Sequence, residues 1–256
     1  LFNLEDFDIK LDTDFIGRNF IYSEEVESTN SSLVNQTARY SNGTVLLAEK
    51  QTKGRGRRDR IWYSAKEQNL TFSILLSDKI FFRKNISLIN FVASLSVAEA
   101  LEYLYQIKSD LKWPNDILLN GKKTGGILIE STSKGSKVDA VIIGFGLNVN
   151  QTLFQGNFNL EPTSLKIETG HNIERERLLA EILNVFEDIL KKSILHPNEI
   201  MKDWKLRCKL LGEKISINVG DTMKYGIFDD LDENGFLLLK SKGKIETITT
   251  GDVNIN

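Results

Sequence analysis

VDAVIIGFGLNV, residues 138–149, is a nearly continuous apolar run that ends in Gly-X-Gly and an asparagine. A strand with one wet face alternates apolar and polar residues; a run without alternation reads as a strand buried on both faces. Working outward, Gly43–Glu49 (GTVLLAE) and Asn69–Leu76 (NLTFSILL) are β-rich in the same way. Before the buried run, Leu88–Tyr105 sets Ile89, Val92, Leu95, Ala98, Leu101 and Leu104 at helical spacing. Glu174–Lys192 does so through Leu178, Ile182, Val185, Phe186 and Ile189, with acidic residues early and Lys191 and Lys192 late, as the helix dipole favours. Strands and helices mixed in this order imply an α/β or α+β domain of about 200 residues.

The character changes near Trp204. Short strand patterns follow at Lys214–Val219, Lys224–Asp230, Phe236–Lys240 and Lys244–Thr249, with a turn at Glu233-Asn234-Gly235. The expected division is residues 1–208 and 209–256. The second unit reads as a small β barrel, too short to hold a large core and therefore packed on the first. It carries no motif of basic and glycine residues, so it is expected to support docking of a partner and no bond-making chemistry.

Composition narrows the class. At 256 residues with 41% hydrophobic and 27% charged side chains the chain is ordinary globular material, which argues against long disorder. A net charge of −2 attracts neither nucleic acid nor anionic lipid over the surface as a whole. No apolar run approaches the roughly 18 residues of a membrane span. Residues 1–20 carry five acidic side chains and no apolar core segment, so nothing there reads as a signal peptide. One cysteine, Cys208, forbids an internal disulfide, and His171 and His196 are too isolated to build a zinc site with it. A reducing, cytoplasmic home is the simplest expectation.

Four stretches carry chemistry. Gly54-Arg55-Gly56-Arg57-Arg58-Asp59-Arg60 places four arginines among seven residues, which cannot pack in a core. Its glycines let backbone amides turn toward a ligand, and guanidinium forks suit phosphates and carboxylates; a solvated basic loop is the plain alternative. It is no dinucleotide fingerprint, because Asp59 stands where a third glycine is needed. Lys112-Trp113-Pro114-Asn115-Asp116 makes a turn at the end of a strand, where Asn115 and Asp116 can meet a metal-bound nucleotide or an incoming amine. Lys123-Thr124-Gly125-Gly126 opens the strand GILIE with an exposed lysine beside glycines, suited to a phosphate. Gly144-Phe145-Gly146-Leu147-Asn148 ends the buried run and offers an amide to a ribose or phosphate, or only a tight turn.

Taken together, Glu27-Ser28-Thr29-Asn30, then AEKQTKGRGRRDRIW (48–62), KWPNDILLNGKKTGGILIE (112–130) and GFGLNVN (144–150) closely resemble the catalytic domain of the biotin protein ligases, over residues 20–190 or so and on into the small barrel. The resemblance implies an α+β fold: a mixed-sheet catalytic domain of the biotin/lipoate ligase type followed by a small SH3-like β barrel. It implies an ATP-dependent ligase that forms biotinyl-5′-AMP, releases pyrophosphate and transfers biotin to a lysine of a biotin carboxyl carrier protein, in acetyl-CoA carboxylase or another biotin-dependent carboxylase. ATP and Mg²⁺ are the implied cofactors, the ion arriving with ATP and held by no protein ligand set.

By the same resemblance Ser28, Thr29 and Gln51 meet the ureido head of biotin, and Asn30, Gly54, Arg55, Arg57, Lys123 and Gly126 are also implied for biotin. Ser28 equally suits a helix cap. Arg57, Arg60, Trp62, Asn115, Lys123 and Asn148 are implied for ATP. Lys123, Arg57 and Asp116 are the catalytic candidates, Asp116 as acceptor of the carrier amine's proton.

Asp59 departs from the pattern where the family's arginine loop usually has glycine; it can pair with Arg58 or Arg60, or point to solvent. Family members that double as repressors carry an N-terminal helix-turn-helix, and nothing before Ser28 is long enough for one, so a monofunctional ligase without nucleic-acid or membrane partners is expected. A homodimer stays open. The rival within the fold is a lipoate ligase or octanoyl transferase. Such transferases use a cysteine as acyl carrier, and none lies among these motifs. A nucleic-acid binder using Arg55–Arg60 is the rival from another class; the acidic total and the lack of stacking motifs speak against it.

Overall fold

The computed structural model describes residues 1–78, 86–135 and 137–255. Seven strands form one mixed sheet: β1 (Phe20–Val26), β2 (Val45–Gln51), β3 (Leu70–Leu76), β4 (Asp110–Lys112), β5 (Asp116–Leu119), β6 (Lys122–Lys134) and β7 (Lys137–Leu147). Their order across the sheet is β1-β2-β3-β7-β6-β5-β4. β1 and β2 are parallel, and every other neighbouring pair is antiparallel. Parallel neighbours need a long crossover, and helix α2 (Thr29–Val34) lies on it. Antiparallel β5 and β6 need only two residues, Asn120 and Gly121, whose φ values of 49° and 78° make the tight hairpin turn. The other α-helices among the described residues are α1 (Leu4–Lys10), α3 (Ile89–Tyr105), α4 (Leu165–Thr169), α5 (Arg175–Leu195) and α6 (Pro197–Leu206).

The apolar run that opened the reading is β7, paired along its length with β3 and β6. Successive side chains of a strand point to opposite faces. Val141, Ile143, Phe145 and Leu147 join the main core with α3 and α5, where Phe145 stacks on Phe72 at 4.5 Å. Ala140 and Ile142 face the other way, into a smaller cluster with Leu33 of α2. On that second face the next two positions are Gly144 and Gly146, so the sheet there presents bare backbone and leaves room for a cavity.

Helix α3 is buried on nearly every side, from Ile89 and Phe91 to Leu101. The segment Ile86–Tyr105 is by length and composition apolar enough to cross a membrane, which corrects the expectation that no run is. Its apolar surface is taken up inside the fold: Phe91 packs edge-on against Trp204 of α6 at 5.1 Å.

The second sheet is antiparallel, β11-β10-β9-β8-β12, built from β8 (Lys214–Val219), β9 (Thr222–Leu231), β10 (Leu237–Ser241), β11 (Lys244–Ile248) and β12 (Asp252–Ile255). The last of these, together with α1, α4 and α6, has no counterpart in the sequence expectations. Ile215, Ile217, Phe228 and Leu237 belong to the same continuous core as Phe91 and Trp204. At the junction the indole N–H of Trp113 donates to the Gly235 carbonyl at 3.1 Å. Gly235 itself (φ 78°) must lack a side chain, because a Cβ there would run into the Phe91 ring. Cys208 is buried at this junction, and burial pushes its thiol up from 9.0 to about 11.

Two buried glutamates fasten the N-terminal segment. Glu49 accepts from both terminal nitrogens of Arg175 at 2.6 and 3.1 Å, from the Phe2 amide at 3.1 Å and from the Tyr22 hydroxyl at 3.0 Å. Glu187 accepts from the backbone amides of Asp14, Phe15 and Ile16 at 2.7–3.0 Å.

Candidate active site

A cavity of about 420 Å³ opens on the glycine face of β7 and brings together residues from the four motif-bearing stretches and Asp252, Val253 and Asn254 of β12. Ser28, Thr29, Asn30 and Gln51 line it beside Arg55, Arg57, Arg60 and Trp62, with Asn115, Asp116, Lys123, Gly126 and Asn148 across from them. Gly54 does not line the cavity; a Cβ there would collide with the Trp62 carbonyl, which accounts for the glycine on packing grounds.

The floor is a polar network. Ser28 caps α2, its hydroxyl accepting from the Ser31 amide at 3.4 Å. The Thr29 amide and hydroxyl reach the Gln51 side-chain oxygen at 2.8 and 3.2 Å. Ser73, on the site-facing side of β3, lies 2.7 Å from the Thr29 hydroxyl and 2.6 Å from the Asn30 side-chain oxygen. Asn30 packs on Gly144, where any Cβ would overlap its amide.

The arginine stretch is a small hairpin, with the Gly56 amide donating to the Arg60 carbonyl at 2.7 Å and the Trp62 amide to the Gly54 carbonyl at 3.0 Å. Its left-handed residue is Arg58 (φ 54°, ψ 46°). The Asp59 side chain, and with it the pairing to Arg58 or Arg60, lies outside the described residues. Arg58 and Arg60 both reach Asp252 of β12, Arg58 at 3.1 Å. Arg57 bonds the Asn115 side chain at 3.3 Å and Thr250 at 3.2 Å, and lies 3.9 Å from Asp252. The small sheet thus reaches the site through Asp252 and Thr250, a contact its lack of motifs did not indicate.

On the opposite wall Asp116 pairs with Lys123 at 2.5 Å and faces Lys112 at 3.8 Å. Lys123 is only about a quarter exposed, at 27%, and not the fully exposed lysine its sequence suggests. Its ammonium lies 5.7 Å from the centre of the Trp62 ring. The Trp62 ring covers Gly146, where a Cβ would collide with it, and the buried indole N–H has no hydrogen-bond partner among the described residues. Asn115 donates to the Ile127 carbonyl at 2.5 Å, and Asn148 to Thr163 at 3.0 Å.

Five cationic side chains (Arg55, Arg57, Arg60, Lys112, Lys123) line the cavity against two carboxylates, Asp116 and Asp252. Burial, reinforced by Arg58 and Arg60, holds the Arg57 guanidinium below its ordinary value against the pull of Asp252 and Asp116. Burial with Lys123 and Arg60 nearby does the same to Lys112 against Asp116 and Asp252. An anionic ligand would relieve both. Among the described residues no three His, Cys, Asp or Glu side chains are grouped to hold a metal ion, and both cavity carboxylates are already paired with cations.

Lys112, Ser73 and Asp252 were not singled out by sequence reasoning. Lys112 opens a motif that was, but it was given no role there. Ser73 sits in an ordinary strand, and Asp252 lies more than 100 residues from the other site residues in a segment without a chemical pattern.

A family model described as the biotin/lipoate A/B protein ligase family matches residues 22–148, and one described as the biotin protein ligase C terminal domain matches residues 210–255. The chain is 34% identical over 258 residues to the bifunctional ligase/repressor BirA of Bacillus subtilis, covering 96% of this chain and 76% of that protein. It is 32% identical over 235 residues to the biotin–[acetyl-CoA-carboxylase] ligase of Paracoccus denitrificans, covering 89% and 96%. The biotin protein ligase from Aquifex aeolicus, solved in complex with biotin and ATP, superposes with a TM-score of 0.80 at 34% identity over 93% of this chain and 98% of that one. With its mixed sheet, its four converging stretches and these relatives, the chain belongs to the biotin protein ligase family.

Proposed function

We propose that the cavity joins biotin to AMP from ATP and passes the biotinyl group to a lysine of a carrier protein. The observation that carries this reading is the excess of cations around one polar-floored cavity, in a protein whose net charge is −2. Two anions, a carboxylate and a triphosphate, must be brought together for the first step, and positioned positive charge is what lowers that barrier.

The biotin carboxylate attacks the α-phosphorus, an O–P bond forms, and pyrophosphate leaves. Ser28, Thr29 and Gln51 suit the ureido head because their hydroxyls and amide offer donors and acceptors at the cavity floor. Lys123 is positioned for the carboxylate and α-phosphate, Arg57 and Arg60 for the leaving pyrophosphate, and Trp62 with Asn115 and Asn148 for the nucleoside. Mg²⁺ arriving with the nucleotide would supply further positive charge; among the described residues no cluster of ligand side chains forms a separate site for it. In the second step a neutral carrier amine attacks the mixed anhydride and AMP leaves. Asp116 serves as proton acceptor only after giving up a lysine, which the phosphate brings about by drawing Lys123 to itself. A biotin carboxyl carrier protein as acceptor, a cytoplasmic setting and the absence of a nucleic-acid role belong to this proposal.

The test is pyrophosphate release with MgATP and biotin, lipoate or octanoate in parallel, without acceptor. One adenylate per site with biotin is expected. ATP consumption with octanoate but not with biotin would overturn the reading.

A further inference from the structure

We propose that Glu130 is a positioning residue that ties the arginine hairpin to the cavity floor, so that the biotin pocket and the loop that covers it are ordered together. The proposal rests on the biotin and ATP reading above. Glu130 stands near the middle of β6 and is not among the residues that line the cavity, so it acts through its neighbours. Its two carboxylate oxygens lie 2.9 and 2.8 Å from one terminal nitrogen of Arg55. The second of them also accepts from the Asn30 amide at 2.8 Å.

Asn30 cannot shift without cost. It is 3% exposed, donates to the Leu128 carbonyl at 3.1 Å, meets Ser73 at 2.6 Å and abuts the bare backbone of Gly144. A contact path therefore runs from Arg55 through Glu130, Asn30, Ser73 and Thr29 to Gln51, from the hairpin to the residues assigned to the ureido head. The other side-chain anchors of the hairpin, from Arg57, Arg58 and Arg60, go chiefly to the second sheet and none to this floor. Glu130 supplies the link at the biotin end. Charged hydrogen bonds sharing one carboxylate fix both partners' positions, and small losses of position in such a site are costly.

Glu130→Gln keeps the shape and an oxygen to accept from Asn30 while removing the charge that holds Arg55. In the ligand-free protein, trypsin should cut after the hairpin arginines at least about fivefold faster, as expected for a segment that opens more often. The biotin Kd should rise about tenfold, the size expected for a lost charged hydrogen bond. The adenylation rate at saturating biotin and ATP should stay within about twofold, because uniform binding is lost and not transition-state contact. Arg55→Ala should reproduce both effects, and the double variant should be no worse than Arg55→Ala alone. Additive effects, or unchanged cleavage and Kd in both single variants, would overturn the proposal. If the unaltered protein binds no biotin, the functional reading fails, while the cleavage experiment still decides whether Glu130 orders the hairpin.

Discussion

Lys123 holds its ammonium at the cavity wall between a carboxylate and an indole ring. Replacing it with alanine leaves Asp116 still facing Lys112, so the wall keeps a charge partner and the melting temperature should barely move. The charge is worth on the order of 2–4 kcal/mol against clustered anions in a water-poor site. Lys123→Ala should therefore slow adenylate formation at least about a hundredfold in a single-turnover assay. Near-normal rates would remove Lys123 from the first step. The lysine was legible because it adjoins two glycines, a composition no core needs. Glu130 and Ser73 were not, since each occupies an ordinary strand position and acquires meaning only from the neighbour that the sheet register sets beside it.

At the scale of single elements, β7 shows how one strand builds core on one face and cavity on the other. Gly146→Ala keeps the strand's pairing but sets a methyl against the Trp62 ring. The crowding is worth about 1–3 kcal/mol, so nucleotide affinity should fall roughly tenfold or more while the far-ultraviolet dichroism stays unchanged. A titration with ATP decides it. The strand was legible from its unbroken apolar run and the two long helices from their apolar spacing, because each buries much of its surface. Helices α1, α4 and α6 are short, and two of them owe their places to distant partners. Glu49 shows this for the N-terminal segment: burial alone would raise its carboxyl, but Arg175, Tyr22 and the Phe2 amide outweigh it and hold it below the ordinary value. A carboxyl so depressed contributes stability above the normal carboxylate range and loses it as pH falls through its folded pKa. Glu49→Gln should cost about 3 kcal/mol by stranding Arg175, with the deficit largest near neutrality and shrinking in acid. An acid titration of the melting temperature, with and without the substitution, reads this directly.

Over the whole molecule, the core runs without a break from α3 and α5 into the second sheet, and Asp252 gathers arginines from the first. The sequence change near Trp204 precedes the first strand of the second sheet, yet it could not reveal how much apolar surface the two sheets share. Heating should give one cooperative transition and not two; a calorimetric trace with resolved peaks would show that the sheets melt separately. Cys208 lies at this seam, with its thiol raised to about 11 from 9.0. The unfolded thiol sheds its proton first as pH rises, so stability should drain away between those two values and be whole below them. Because the chain has a single cysteine, that buried sulfur is also a ready-made clock. A thiol dye at mildly alkaline pH would pass over closed molecules and mark each one whose seam had parted, turning the rate of colour development into a count of openings without an engineered label.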